Sequence, residues 1–298
     1  MEHNVKLEAV EYKGRKAVRV TPSGQIEGLA FLRGAEFEDG TIEADVALKV
    51  TTPATIRNPG FMGIAFRTRP DATHYELFYI RPGNSGAADQ AMRNHSVQYV
   101  EKPDFDWYKL RTAWPWVYES YADLQPETWT HIKIEVEGRN AKLYVNGAAN
   151  PVLVVDGMKG EDLKGGVGLW GSSGQENYFS NLRITHAKRQ PIENGGEAAG
   201  TWEVKYGGGA GNSTGLLKLQ RDGATLTGTA SGLVGADVPV TGKWRNGYVE
   251  LAFHGNWKGP DPGEATVRIA GWIDGSAARG RMSISDRAEG TWTATRKE

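Results

Sequence analysis

The stretch Gly60–Gly83, GFMGIAFRTRPDATHYELFYIRPG, decides how the first two-thirds of the chain is read. Phe61–Arg69 alternates. Phe61, Gly63, Ala65, Arg67 and Arg69 fall on one face of a strand, and Met62, Ile64, Phe66 and Thr68 on the other. Pro70-Asp71 breaks the pattern, and His74–Arg81 resumes it with aromatic and β-branched residues. That strand places His74, Glu76, Phe78 and Ile80 on one side and Tyr75, Leu77, Tyr79 and Arg81 on the other. A guanidinium sits badly in a sandwich core. Arg67 and Arg81 are therefore expected on an open face, with Tyr79 and Tyr75 beside them. Guanidinium forks and flat phenol rings on a β-face suit a sugar or carboxylate ligand. The solvated side of an ordinary strand has the same composition.

The 298 residues suggest two domains. A net charge of −1, with both signs mixed along the chain, gives no support for a nucleic acid or an anionic membrane as partner. No apolar run of about 18 residues exists, so no membrane-spanning helix is expected. The absence of cysteine excludes disulfides, thiolate metal sites and a cysteine nucleophile. The opening MEHNVKLEAVEYKGRKAVRV carries no apolar signal core. A cytoplasmic protein is expected, or an exported one if a leader has been trimmed.

Short strands follow one another up to Thr185. Val5–Val10 and Lys16–Thr21 flank a hairpin signal at Tyr12-Lys13-Gly14, and Ile26–Leu32 follows. Gly40–Val50, GTIEADVALKV, turns Ile42, Ala44, Val46 and Leu48 inward. Thr51–Pro59 and Gly83–Asn94 read as loops, and His95–Val100 as a strand. Glu101–Pro126 is a long insertion crowded with Phe105, Trp107, Tyr108, Trp114, Trp116, Tyr118 and Tyr121. Disordered segments are poor in aromatics, so it is expected to pack over a sheet edge or over the open face. Trp129–Glu137, Asn140–Asn146, Val152–Val155, Gly166–Gly171 and Phe179–Thr185 complete the set. No amphipathic helix is expected before Lys188.

Residues 1–187 are thus expected to form one domain, with 188–199 a Pro/Gly/Glu-rich linker and 200–298 a second domain. In the second, eight strands recur at about 8–14 residue spacing. Asp222-Gly223, Asn246-Gly247 and Asp274-Gly275 supply hairpin turns. The expectation is an up-and-down antiparallel barrel, making the whole chain all-β.

The pieces Phe37–Ala44, Gly63–Arg67, Tyr79–Pro82, His95–Tyr99, Trp129–Val136, Ala141–Val145, Gly165–Trp170 and Phe179–Ile184 keep the order and spacing of a family pattern across roughly Gly24 to Thr185. They resemble the concanavalin-like (laminin G-like) jelly-roll domains of bacteria, and among these the 3-keto-disaccharide hydrolases. The resemblance implies a two-sheet jelly roll whose concave face handles carbohydrate, with hydrolysis of 3-keto-glycosides in some members. Where that group is expected to carry an acid next to Gln, this chain has His95-Ser96-Val97-Gln98-Tyr99. Residues 200–298, opening on Gly200-Thr201-Trp202, resemble avidin- or lipocalin-type barrels, which implies a ligand-sized mouth.

Candidate chemistry gathers around the opening stretch. His95 titrates near neutral pH and is a candidate acid or base, with Arg67 or Arg81 stabilising an enolate beside it. A histidine at a strand start that merely bonds a loop carbonyl is the plainer reading. Tyr79, Gln98, Tyr99 and Glu76 are candidate ligand contacts. Glu76 with Glu119 or Asp123 is a conceivable carboxylate pair for glycoside cleavage. Trp114, Trp116 and Tyr118 are expected to stack on sugar rings, or else to form a small core for the insertion.

Asp104, Asp106, Asp156, Glu161 and Asp162 are the only hint of a structural calcium, and no other cofactor is indicated. The histidines show no zinc spacing. Three functions stay open: an enzyme acting on a (keto-)glycoside, a non-catalytic carbohydrate-binding module, and a small-molecule protein using the barrel lumen through Trp244, Trp257 and Trp272.

Overall fold

A computed structural model describes residues 2–23, 27–51, 60–188, 195–209 and 211–297. The expected loop 51–59 lies almost wholly outside the described residues. The chain divides into two compact units, Met1–Arg189 and Gln190–Glu298.

The first unit begins with β1 (Glu2–His3), β2 (Val5–Tyr12), β3 (Arg15–Pro22), β4 (Glu27–Phe37), β5 (Gly40–Val50), β6 (Met62–Thr68) and β7 (Tyr75–Ile80). Two short helices, α1 (Pro82–Ser85) and α2 (Gln90–Asn94), lead into β8 (Val97–Lys102). Then come α3 (Trp107–Ala113), β9 (Glu119–Ser120), β10 (Thr130–Glu137), β11 (Asn140–Val145), β12 (Leu153–Asp156), β13 (Gly165–Ser172) and β14 (Gln175–His186). The strands make two antiparallel seven-stranded sheets, β1-β4-β13-β6-β7-β8-β9 and β12-β11-β10-β5-β14-β3-β2. The chain crosses repeatedly between the two sheets, at β3–β4, β4–β5, β5–β6, β9–β10, β12–β13 and β13–β14, as in a jelly roll of the concanavalin-like kind.

The core lies between the sheets. Met62, Ile64, Phe66, Phe78, Ile80 and Val97 of the first sheet and Ile42, Val46, Leu48, Ile132, Ile134 and Leu143 of the second are fully buried. Their period-2 spacing is what lets one face of each strand leave water. The sheets approach so closely at Gly171 that a Cβ there would meet the Asn177 amide of β14 at 2.3 Å.

The other face of the first sheet is also covered. Every residue of β6 and β7 is buried. The covering comes from the two segments between β7 and β10, which include three short helices where none was expected. Each longer helix has a local cause. Asp89 caps α2 by accepting the Ala91 N–H, and Asp106 caps α3 by accepting the Trp107 N–H.

The open basic face expected for Arg67 and Arg81 is absent. Thr68 pairs with Gly166 and Phe66 with Val167, so Arg67 is the extra residue of a β-bulge, at φ +50°. The bulge breaks the alternation that put Arg67 beside Ala65. Its guanidinium is 1% exposed and donates to the Glu38 and Gly138 carbonyls and to the Asp39 carboxylate at 2.9 Å. Arg81 is buried as well, beneath His95.

The second unit is a closed antiparallel barrel. Its strands are β15 (Gly200–Gly208), β16 (Ser213–Asp222), β17 (Thr225–Gly232), β18 (Gly235–Arg245), β19 (Tyr248–Trp257), β20 (Gly263–Asp274), β21 (Ala277–Ile284) and β22 (Ala288–Arg296). β22 pairs back onto β15. Gly228 permits tight curvature, since a Cβ there would strike the Lys218 carbonyl at 1.9 Å.

Inward residues including Val204, Leu217, Leu226, Val240, Leu251, Val267, Met282 and Trp292 form one packed cluster. Trp257 belongs to it and Trp244 packs against it, so these two help fill the lumen. Trp272 does not point inward. It follows inward Ile269 and precedes inward Ile273, which puts it on the outer face beside Tyr248, ring centroids 5.1 Å apart. The expected linker 188–199 is in part barrel. Ala198 is fully buried in the cluster, and its carbonyl accepts the Trp202 indole N–H at 2.9 Å.

Candidate functional site

The face of the first sheet turned away from the second carries the candidate site. Register places Tyr79 of β7 opposite Gln98 of β8, and Gln98 opposite Glu119 of β9. Arg81 lies just past β7 on the same side. Its Nη2 donates to Tyr79 Oη at 2.6 Å and to Gln98 Oε1 at 3.3 Å, and its Nη1 donates to the His95 carbonyl at 2.9 Å. The Asn84 amide donates to that same carbonyl at 3.0 Å. The guanidinium also lies over the Tyr79 and Phe61 rings.

His95 is not a strand residue. It is the C-cap of α2, so strand alternation does not apply to it, and it falls on the side of Gln98. Its Nδ1 stands 2.9 Å from Glu119 Oε2, a contact that is an ion pair only when the ring is protonated. Glu119 accepts both forks of Arg111, Nε at 2.8 Å and Nη2 at 2.6 Å. Burial holds the His95 imidazole below its ordinary value. Glu119 pulls it up, and Arg111 and Arg81 push it down.

Trp116 closes this cluster. Its ring stacks on His95, with centroids 5.7 Å apart and planes 7° apart. Its backbone is left-handed, φ +66°, which is rare for a bulky residue. Even so, 61% of Trp116 faces solvent. Trp107 at 42%, Tyr108 at 51% and Tyr121 at 39% are also exposed. Trp107 lies under the Arg111 guanidinium and against Tyr108. Tyr121 lies under Arg93, whose Nη2 donates to its hydroxyl at 3.3 Å. The four exposed rings come from one fifteen-residue stretch, 107–121.

The remaining expected residues lie elsewhere. Glu76 and Tyr99 are on the inner face, opposite in parity to Tyr79 and Gln98. The Glu76 carboxylate accepts from Tyr99 Oη and from the Gly160 N–H at 2.8 Å, and Tyr99 Oη accepts the Lys159 N–H at 2.6 Å. Burial lifts the Glu76 carboxyl above its usual range, against the pull of Tyr99 and Arg67. Glu76 therefore fastens the segment after β12 and cannot pair with Glu119 across a glycosidic bond. Trp114 and Tyr118 are buried beside Phe105, with the Lys159 ammonium over all three rings. They form the small core of the insertion, which wraps the sheet edge and leaves Trp116 outside.

No protein-family model matches the sequence, and no curated protein matches it. Among solved structures, the carbohydrate binding module CBM66 from Bacillus subtilis is similar at 16% identity and a TM-score of 0.43, over 61% of this chain and 92% of that one. A Bacillus subtilis protein with a galectin-like fold is similar at 11% identity and a TM-score of 0.40, over 63% and 91%. A GlcNAcα1-4Gal releasing endo-β-galactosidase from Clostridium perfringens gives 8% and 0.34, over 98% and 89%. At these identities the likeness is one of fold alone.

Two of the five acids that hinted at calcium have other partners. Asp106 caps α3 and meets Lys102 Nζ at 3.0 Å, and Asp162 meets Arg69 Nε at 2.6 Å. Among the described residues no group of three or more His, Asp or Glu side chains could hold a metal ion. No helix of the described residues is long and apolar enough to cross a membrane.

Arg93 and Arg111 were not among the expected residues, and Trp107, Tyr108 and Tyr121 were expected only as part of the aromatic insertion. The four-residue spacing of Trp107 and Arg111 behind Asp106 was the available signal: a capped helix with both on one face.

Proposed function

We propose that the first unit binds carbohydrate on the outer face of its first sheet, with Trp116 as the stacking ring. The observation that carries this reading is Trp116 itself. A large apolar ring held in a strained backbone and stacked on His95, yet mostly in water, gains nothing for the fold from burial. Trp107, Tyr108 and Tyr121 extend the platform. Flat rings of this kind bury much area against the apolar face of a sugar with few torsions to freeze. Arg111, Glu119 and His95 offer hydrogen bonds to hydroxyl groups beside them.

The geometry favours binding over cleavage. Glu76 lies on the inner face and Arg111 engages both oxygens of Glu119, so Glu76 and Glu119 do not form a pair across a glycosidic bond. Calorimetric titration of the full chain with neutral and acidic oligosaccharides tests the reading. Trp116→Ala is expected to weaken binding about tenfold, the equivalent of roughly 1.4 kcal/mol. Undiminished affinity in Trp116→Ala and Trp107→Ala sinks it.

The His95–Glu119 contact favours a second reading, acid–base chemistry on a keto-glycoside. Turnover of such a substrate that is lost in His95→Ala, with ligand affinity retained, selects it.

A further inference from the structure

Three engaged carboxylates on this face have cationic partners: Glu119 holds Arg111, and Glu27 and Asp106 share Lys102. Two further guanidinium groups have no acid partner among the described residues. Arg81 is 5% exposed, and the acceptors it meets are neutral: the Tyr79 hydroxyl, the Gln98 amide oxygen and the His95 carbonyl. Arg93, on α2, meets only the hydroxyl and ring of Tyr121. Asp89, four residues before it, caps the helix by accepting the Ala91 N–H at 2.9 Å and forms no ion pair with Arg93.

A buried guanidinium without an anion is an unfavourable arrangement that an arriving anion relieves. Arg93 and Arg81 belong to one surface. Arg93 is two residues from His95, the C-cap of its helix, and Tyr121, which lies under its guanidinium, is two residues from Glu119. Arg81 is tied to His95, on which Trp116 stacks.

We propose that the ligand at this face is an acidic saccharide, its ring on Trp116 and its carboxylate on Arg93, with Arg81 supplying positive potential from beneath. This rests on the carbohydrate reading above. The planar, two-pronged guanidinium matches a carboxylate more closely than it matches a neutral hydroxyl. A sulfate ester shares the charge, so the test separates the two.

Calorimetry on the full chain at low salt uses oligogalacturonate and oligomannuronate, the methyl ester of each, and a sulfated galactan oligosaccharide. The free acids are expected to bind about tenfold tighter than their esters. Added salt narrows that gap. Arg93→Gln lowers acid affinity to that of the ester and so removes the gap, and Trp116→Ala weakens acid and ester alike. Acid and ester of equal affinity, both weakened by Trp116→Ala, overturn the acidic ligand and spare the sugar site. Tight binding of the sulfated probe, with uronates no better than their esters, overturns the carboxylate. If no saccharide binds, both proposals fall.

Discussion

Arg67 follows Phe66 with a φ of +50°, and that torsion turns its side chain from the outer face to the gap between the sheets. There it holds Asp39, which also accepts the Gly138 N–H at 3.0 Å. Removing one member of such a buried pair strands the other. Asp39→Ala is expected to lower unfolding free energy by roughly 3–5 kcal/mol in urea titration. Glu76→Ala strands the Tyr99 hydroxyl and the Gly160 N–H, at roughly 3 kcal/mol.

His95 gives a pH dependence with a definite sign. Its folded proton affinity lies below the 6.5 of the free side chain. As pH falls through 6.5 the unfolded chain takes up the proton first, so stability declines on the acid side. His95→Gln should flatten that decline in unfolding curves recorded from pH 7 to 5.

Among the elements, β10 folds as its alternation dictates, one face buried and the other partly wet, and β5 turns its expected set inward although Asp45 and Ala47 on its other face are buried too. The hairpin turns also follow from sequence. Asn246 and Gly247 both take positive φ, as a tight two-residue turn requires. The bulge at Arg67 could not be read, because register belongs to a pair of strands and β13 lies about a hundred residues away. The insertion was legible in composition but not in path. Seven rings announce packing, yet nothing local says that Trp114 turns in and Trp116 out. That Arg93 and Arg81 form no ion pair among the described residues is a property of the assembled face.

In the barrel, Glu197 receives both forks of Arg221 and the Ala199 N–H, and Arg221 holds its carboxyl down to about 2. The pair's contribution is present above 4.5 and fades as pH drops from there towards 2. Glu197→Gln should soften the acid limb of the stability profile, modestly because the carboxylate is half exposed.

At the scale of the molecule, each unit has its own core. A fragment of residues 2–188 is expected to fold and to keep the saccharide affinity of the full chain in calorimetry, because the aromatic platform is built from residues 93–121 alone. Affinity that needs residues 195–297 would move the site.

The strand beside that platform, β9, is only two residues long. A rim so brief offers a foreign backbone almost nothing to zip onto, and a ring of eight strands offers no rim at all. Recruitment by strand addition is thus closed off at both places. Whatever docks there has to be read by side chains rather than by backbone pairing.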